Sequence, residues 1–399
     1  MTQYPPIPRR RFGRTGLEMP VFSCGGMRYQ HAWQDKTPDE IPADSQQNVK
    51  ACIRRAVELG INHIETARGY GTSEVQLGPV LKQFPRQELI IQTKSGPKDT
   101  GEEFIATVEK SLKNLQVDHV DLLAVHGINN QELLDNVLRP GGTLDAAVKL
   151  REKGVARCIG FSTHAHVEVI QKAISLDVFD YVNLHWYFVF EANWPAVLDA
   201  RNHDMGVFII SPNDKGGKLY EPSPAMIELC DPLSPMQFNN LYCLSRPEVH
   251  TLSIGASRPT DFDDHMAGLR WYDEREQVTA KIATRIRAEM DSRLGSDWCA
   301  RWSDGLPAWE DVPGKINLRE IIRLWNYATA LGMESYAKMR YNLLGQGDHW
   351  FPGVNAGQLD KQEIMESLVG YPFADRIPDL LRDAHARFYE APKKRLSES

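Results

Sequence analysis

Short, β-branched apolar runs recur along the first two-thirds of the chain, and each ends on a polar residue able to do chemistry. Ile61–Ile64 runs into Glu65, Leu89–Gln92 reaches Lys94, and Val120–Val125 ends at His126. Ala156–Phe161 leads to Ser162, and Tyr181–Leu184 carries Asn183 and leads to His185. Val207–Ile210 leads to Ser211, and Leu252–Ala256 to Ser257 and Arg258. Runs this short predict strands buried on both faces, as in a parallel sheet. Between them lie amphipathic stretches long enough for helices. Gln46–Leu59, for example, sets Val49, Cys52, Ile53 and Val57 at helical spacing and stops at Gly60 as a C-cap.

The strand starts are spaced as βα units are. A further strand at Val21–Cys24 follows a predicted β-hairpin over residues 7–23, with Gly13 and Thr15-Gly16 as turn material, and brings the number to eight. The fold expected is α/β, a (β/α)8 TIM barrel with an N-terminal β-hairpin. An open doubly wound sheet is the competitor, and the lack of a GxGxxG after the first strand argues against it. In such a ring every strand ends on the same face, where the βα-loops build the site.

Beyond about residue 272 the strand rhythm stops. Glu274–Leu294, Leu318–Leu331 and Ile377–Tyr389 read as helices, and Gly345–Gly357 as a loop. The expected division is a barrel over 1–271, a smaller, mostly helical domain over 272–391, and a charged tail over 392–399. The wide gap from Ser211 to Leu252 reads as a long βα-loop with its helix.

Composition narrows the function. Of 399 residues, 42% are hydrophobic and 25% charged, ordinary for a soluble globular protein. A formal net charge of −7 argues against nucleic-acid binding. No apolar span suits a membrane helix or a signal peptide, and the six cysteines form no CxxC pair. A cytoplasmic protein with reduced, structural thiols is expected.

Gly60-Ile61-Asn62-His63-Ile64-Glu65-Thr66-Ala67-Arg68-Gly69-Tyr70-Gly71, with Ser73-Glu74 and Leu77-Gly78, resembles the aldo-keto reductase family. In that family the second strand ends in an acid and a tyrosine follows five residues later. Lys94 and His126, after the next two strands, complete the match to its catalytic tetrad. Ile159–Ser162, Tyr181-Val182-Asn183, Ser211-Pro212, Gly216–Leu219 and Ile254–Pro259 extend the likeness across roughly residues 10–270. The resemblance implies an oxidoreductase that reduces aldehydes or ketones to alcohols, with Tyr70 as general acid. Lys94 would lower the tyrosine's pKa, Glu65 would hold Lys94, and His126 would orient the carbonyl oxygen. Glu65 departs from the family's usual aspartate by one methylene.

The same resemblance implies a nicotinamide dinucleotide, NADPH ahead of NADH. Ser162 and Asn183 would take the carboxamide. Gly26, Met27, Ser211, Asn213, Gly217, Lys218 and Leu219 would line the cofactor, with the 211–219 loop over the pyrophosphate. Ser257 and Arg258 would take the 2′-phosphate. Asp264 matches the acid that contacts adenine, whereas Asp261 and His265 stand where the family has other residues. Met27, Tyr29, Trp33, His185, Trp186 and Tyr187 are candidates for the substrate wall.

One branch of the family appends a ferredoxin-like domain with iron–sulfur cysteines. The segments from Trp298 to Leu324 and from Tyr371 to Leu381 resemble it, but Cys299 is the region's only cysteine, so no iron–sulfur cluster and no other metal site is expected. Trp298, Trp302, Trp309, Trp325 and Trp350 are expected to fill the domain's core. The implied partner is a small carbonyl compound, the protein being a monomer or weak oligomer. The alternative is a nucleotide-binding regulatory protein with little turnover.

Overall fold

Gly13 takes φ +53°, and a Cβ there would come within 2.4 Å of the Gly206 backbone nitrogen, so the turn requires glycine. It joins the two strands of the N-terminal hairpin, β1 (Arg9–Arg11) and β2 (Glu18–Pro20), which pair antiparallel. The computed structural model that shows this describes residues 4–394, so part of the expected tail, 395–399, lies outside the described residues. The hairpin's Phe12, Leu17 and Met19 pack with Ile90, Leu122, Ala124, Cys158, Tyr181 and Phe208 in one apolar cluster. The hairpin thus packs against side chains carried by the barrel strands.

Eight parallel strands follow: β3 (Phe22–Gly25), β4 (His63–Glu65), β5 (Ile90–Ser95), β6 (Val120–His126), β7 (Ala156–Ser162), β8 (Tyr181–Leu184), β9 (Gly206–Ile209) and β10 (Thr251–Gly255). They pair in chain order, and β10 closes on β3. The expected (β/α)8 barrel is the fold observed. Register decides which polar residues become neighbours. Glu65 is level with Gly25 and Gln92, Lys94 with Ala124, and His126 with Ser162, which is level with Asn183.

Helices α1 (Ala43–Glu58), α2 (Ser73–Leu81), α3 (Gly101–Leu115), α4 (Gln131–Val137), α5 (Thr143–Glu152), α6 (Val167–Ser175) and α7 (Trp194–Asn202) lie between the strands in sequence. Helix α1 begins three residues before the periodicity suggested, directly after Pro42. The Thr100 side chain caps α3, accepting from the Glu103 amide at 3.2 Å. The chain continues through α8 (Pro224–Cys230), α9 (Pro235–Leu244) and α10 (Phe262–Gly268) to α11 (Arg275–Leu294), α12 (Ser296–Arg301), α13 (Leu318–Leu331), α14 (Glu334–Tyr341), α15 (Lys361–Ser367) and α16 (Ile377–Phe388).

The chain divides into two compact units, residues 4–212 with 239–276 and residues 213–238 with 277–394. The segment 213–238, read from sequence as a barrel loop and its helix, therefore belongs with the C-terminal helices. Within the second unit Trp298 is buried, donating from its indole nitrogen to Asn326 at 2.8 Å beneath the Arg376 guanidinium. The other four tryptophans do not fill a core as expected. Trp302, Trp309 and Trp325 are half-buried and Trp350 is 38% exposed. Ring size alone does not place a side chain inside.

Candidate active site

Strand β4 delivers Glu65 and β5 delivers Lys94, and both side chains are shut away from water at 3% and 1% exposure. The chain after β4 stays on the sheet for three more residues, with the Thr66 amide donating to Gln92 at 2.9 Å and the Arg68 amide to Lys94 at 2.8 Å. A turn closed from the Tyr70 amide to the Ala67 carbonyl then brings Tyr70 back over the barrel. Gly71, at φ +53°, is required next, because a Cβ there would collide with the Ala32 carbonyl.

The Lys94 ammonium is ion-paired with Glu65, donates to the Thr66 carbonyl at 2.8 Å and lies 3.3 Å from the Tyr70 hydroxyl. The His126 ring stands edge-on to Tyr70, centroids 5.6 Å apart. The four tetrad residues thus meet. Gly25 lies beside the pair, where a Cβ would come within 2.6 Å of Ser253 Oγ. Ser253 also donates to Glu65 Oε2 at 3.2 Å.

Electrostatics here differ from the sequence expectation. Burial pushes the Tyr70 phenol above its ordinary pKa, where Lys94 was expected to draw it toward neutral pH. Burial also pulls the Lys94 ammonium well below its ordinary range. The reason is physical: the lysine's charge is met by the Glu65 carboxylate, so little net positive field reaches the phenol, and desolvation wins. Burial therefore favours the protonated phenol at Tyr70. Below this group, His63 hydrogen-bonds Ser23 at 2.6 Å and is pushed down to about 3 by burial and by Lys94.

Asn183 is completely buried, yet both ends of its carboxamide lack a hydrogen-bond partner. Such a group is destabilising unless something else satisfies it. A ligand amide would do so, and Ser162 lies beside it in register. The Ser162 hydroxyl accepts from the Gly127 amide at 3.1 Å, which fixes its rotamer. Gly26 admits no side chain, since a Cβ would sit 2.7 Å from the Glu65 carbonyl and 2.8 Å from Ser73 Oγ. Met27 is half-buried.

At the end of β10, Asp261 accepts from the Ser257 and Arg258 amides at 2.8 and 3.2 Å and from Arg258 Nε at 2.9 Å. The acid that seemed free to oppose a phosphate is thus engaged in the turn, and Arg258 is tied to it while 75% exposed. Asp264 is exposed. His265 does not reach this rim. It is buried against Phe22 and Asn240 and pushed down to about 4 by that burial. Ser211 ends the barrel's share of the expected cofactor loop at φ +53°, whereas Asn213, Gly217, Lys218 and Leu219 belong to the second unit.

Sequence reasoning passed over Ser253, Arg28 and Asn48. Arg28 Nε lies 3.4 Å from Ser257 Oγ, and Asn48 donates to the Ser257 carbonyl at 2.6 Å. Arg28 follows Met27 in sequence, but its contact and that of Asn48 reach across 229 and 209 residues to Ser257, so only barrel closure reveals them. Among the wall candidates, Trp186 is spent on packing, stacked on Tyr242 with centroids 5.4 Å apart. Tyr29 is buried as well. His185 hydrogen-bonds both Tyr187, at 2.5 Å, and His164, at 2.9 Å.

The family model described as "Aldo/keto reductase family" matches residues 22–212, which contain all four tetrad residues. Those residues form an aldo/keto reductase family domain. L-galactose dehydrogenase of Arabidopsis thaliana is 32% identical over 185 residues, 44% of this chain and 51% of that protein. Glyoxal reductase of Bacillus subtilis is 30% identical over 175 residues, 43% of this chain and 56% of that one. The chain thus spans about half the length of these curated relatives. Aldo-keto reductase AKR11C1 of Bacillus halodurans, in its holo form, superposes with a TM-score of 0.57 at 20% identity, over 69% of this chain and 96% of that one. This last likeness concerns the barrel fold that carries the family domain. Among the described residues no helix is long and apolar enough to cross a membrane. No group of three or more His, Cys, Asp or Glu among them could hold a metal ion.

Proposed function

We propose that the protein is a nicotinamide-dependent oxidoreductase that reduces the carbonyl of a small aldehyde or ketone to an alcohol, with Tyr70 as proton donor and NADPH preferred. The observation that carries this reading is the buried Glu65–Lys94 pair seated on the Tyr70 hydroxyl. A protein has little reason to bury an ammonium against a phenol unless the phenol's proton is to be moved. The unsatisfied carboxamide of Asn183 adds a cradle of the right chemistry for a nicotinamide amide.

Bound there, the reduced nicotinamide supplies the hydride. The Tyr70 hydroxyl donates a proton to the carbonyl oxygen as negative charge develops on it, and becomes phenolate. Lys94, 3.3 Å away, can donate a hydrogen bond to that phenolate and pass a proton back to it. Glu65 keeps the ammonium in place between catalytic events, and Ser253 keeps Glu65 in place. His126, against the Tyr70 ring, supplies a second hydrogen bond to orient the carbonyl. Arg28 and Arg258, both near Ser257, would hold the 2′-phosphate, and this is the basis for preferring NADPH. The L-galactose dehydrogenase and glyoxal reductase among the relatives point to a small polar carbonyl or sugar-derived substrate.

The experiment is a panel of small aldehydes, ketones and sugar lactols with NADPH, followed by Tyr70→Phe. The variant should lose at least about a hundredfold in turnover, as expected for removal of a general acid, while binding NADPH with unchanged affinity. Undiminished turnover would remove Tyr70 from its role. Nucleotide binding without turnover across the panel would turn the reading to a regulatory protein.

A further inference from the structure

Thr72 occupies the N-cap of α2, two residues after Tyr70, yet its hydroxyl does not cap the helix. A threonine there ordinarily accepts from an amide of the first turn. This one is completely buried and turned instead to the loop between β3 and α1. Its oxygen accepts from the His31 amide at 3.0 Å and the Ala32 amide at 3.1 Å, and its proton goes to Gln76 Oε1 at 2.8 Å. One donor and two lone pairs are thereby all used. Gln76, also completely buried, accepts from the His31 amide at 2.8 Å, and its own Nε2 donates to Ser45 Oγ at 3.1 Å. The Thr72 amide donates back to the Ala32 carbonyl at 2.9 Å.

The same loop grips the chain on the other side of Tyr70. Asp35 pairs with the Arg68 guanidinium and, at 2.7 Å, with the Lys110 ammonium on α3. Arg68 and Thr72 lie two residues before and two after the phenol, so loop residues 31–35 bracket it. The two grips differ in strength. Asp35 is 54% exposed, and an exposed ion pair contributes little, whereas losing a fully used buried hydroxyl leaves amides without a partner. A proton donor works only while its oxygen stays near both Lys94 and the carbonyl, and about 1 Å of misplacement can cost a hundredfold in rate. Hydrogen bonds that α2 does not use for its own cap hold the segment on which that position depends.

We propose that Thr72 is a positioning residue for proton transfer: it ties the turn that carries Tyr70 to loop residues 31–35 and so holds the phenol at Lys94. This rests on the oxidoreductase reading above. The test is steady-state reduction of glyoxal with NADPH by the full chain, in water and in heavy water. Thr72→Val keeps the shape and removes the hydroxyl. It should lower kcat by about tenfold, raise the solvent isotope effect on kcat and leave NADPH affinity unchanged. A variant that was merely less stable would lose active molecules, and kcat with them, at an unchanged isotope effect. Thr72→Ser, which restores the hydroxyl, should recover most of the rate. If Thr72→Val does not fold, Asp35→Asn, at an exposed position, should raise the isotope effect with a loss in kcat of about two- to threefold. An unchanged isotope effect in the variant that folds, or a Thr72→Ser no faster than Thr72→Val, would overturn the inference. If the unaltered protein reduces neither glyoxal nor any other carbonyl of the panel, the oxidoreductase reading falls, and this inference with it.

Discussion

In the barrel, one ammonium faces one carboxylate: Lys94 and Glu65, at 1% and 3% exposure. In the C-terminal helices, Glu320 faces two guanidinium groups, Arg323 and Arg340, at roughly 10% exposure each. Burial is severe in both places, but the outcome is opposite. Desolvation dominates at Lys94 and pulls it well below its ordinary range. At Glu320 desolvation pushes upward, yet Arg323 and Arg340 outweigh it and hold the carboxyl below its usual range. Arginine does not give up its proton in proteins, and its fork fills a carboxylate's lone pairs; lysine shifts readily when buried. The helical cluster is therefore fixed in charge and serves as scaffold, whereas the barrel pair can change protonation and sits on a phenol. Buried charge by itself does not mark an active site. What marks it is a titratable cation next to a group whose proton has somewhere to go.

The comparison can be broken from either side. The largest effect on stability is expected at the scaffold. Glu320→Gln strands two buried guanidinium groups and should destabilise the protein by about 3 to 5 kcal/mol in urea unfolding. A loss under about 1 kcal/mol would show that the cluster is solvated like a surface pair.

The next effect is acid lability in the barrel. His63 is held neutral at about 3 against an ordinary 6.5, chiefly by burial and then by Lys94. Below pH 6.5 the unfolded chain binds a proton that the folded chain refuses. This contribution is complete above 6.5 and drains away as pH falls toward 3. The free energy of unfolding should therefore drop steadily with acidification, by about 2 to 3 kcal/mol at pH 4.5, and His63→Gln should flatten the slope. An identical slope in the variant would assign the lability to other groups, His250 and His265 at about 4 being next in line.

The smallest effect tests the second support of the pair. Ser253→Ala removes the donor to Glu65 Oε2 and should lower kcat/KM by about three- to tenfold, with NADPH affinity unchanged. No loss would mean that Lys94 alone fixes Glu65.

Much of this was legible in the chain. Seven apolar runs leading to Glu65, Lys94, His126, Ser162, Asn183, Ser211 and Ser257, with an eighth at Val21–Cys24, announce a parallel barrel, because period and length are local properties and a parallel ring gathers strand ends by geometry alone. Tyr70 was legible only through the family resemblance, which implies a tyrosine five residues after the acid. The role of Ser253 was not, since it lies 188 residues from Glu65 and becomes its neighbour only when β10 closes on β3. Nor was the exposure of Trp350, because hydrophobicity states a preference and packing decides whether it is met.

Sequence alone thus determined which elements form and which reactive groups share a rim. Tertiary structure decided the signs: that Tyr70 rests protonated, that Asp261 is consumed by its own turn, and that residues 213–238 join the C-terminal helices. Each depends on how much water is excluded and on which opposite charge arrives from a distant part of the chain. Coulombic and desolvation energies depend on those distances through space, which residue order does not contain.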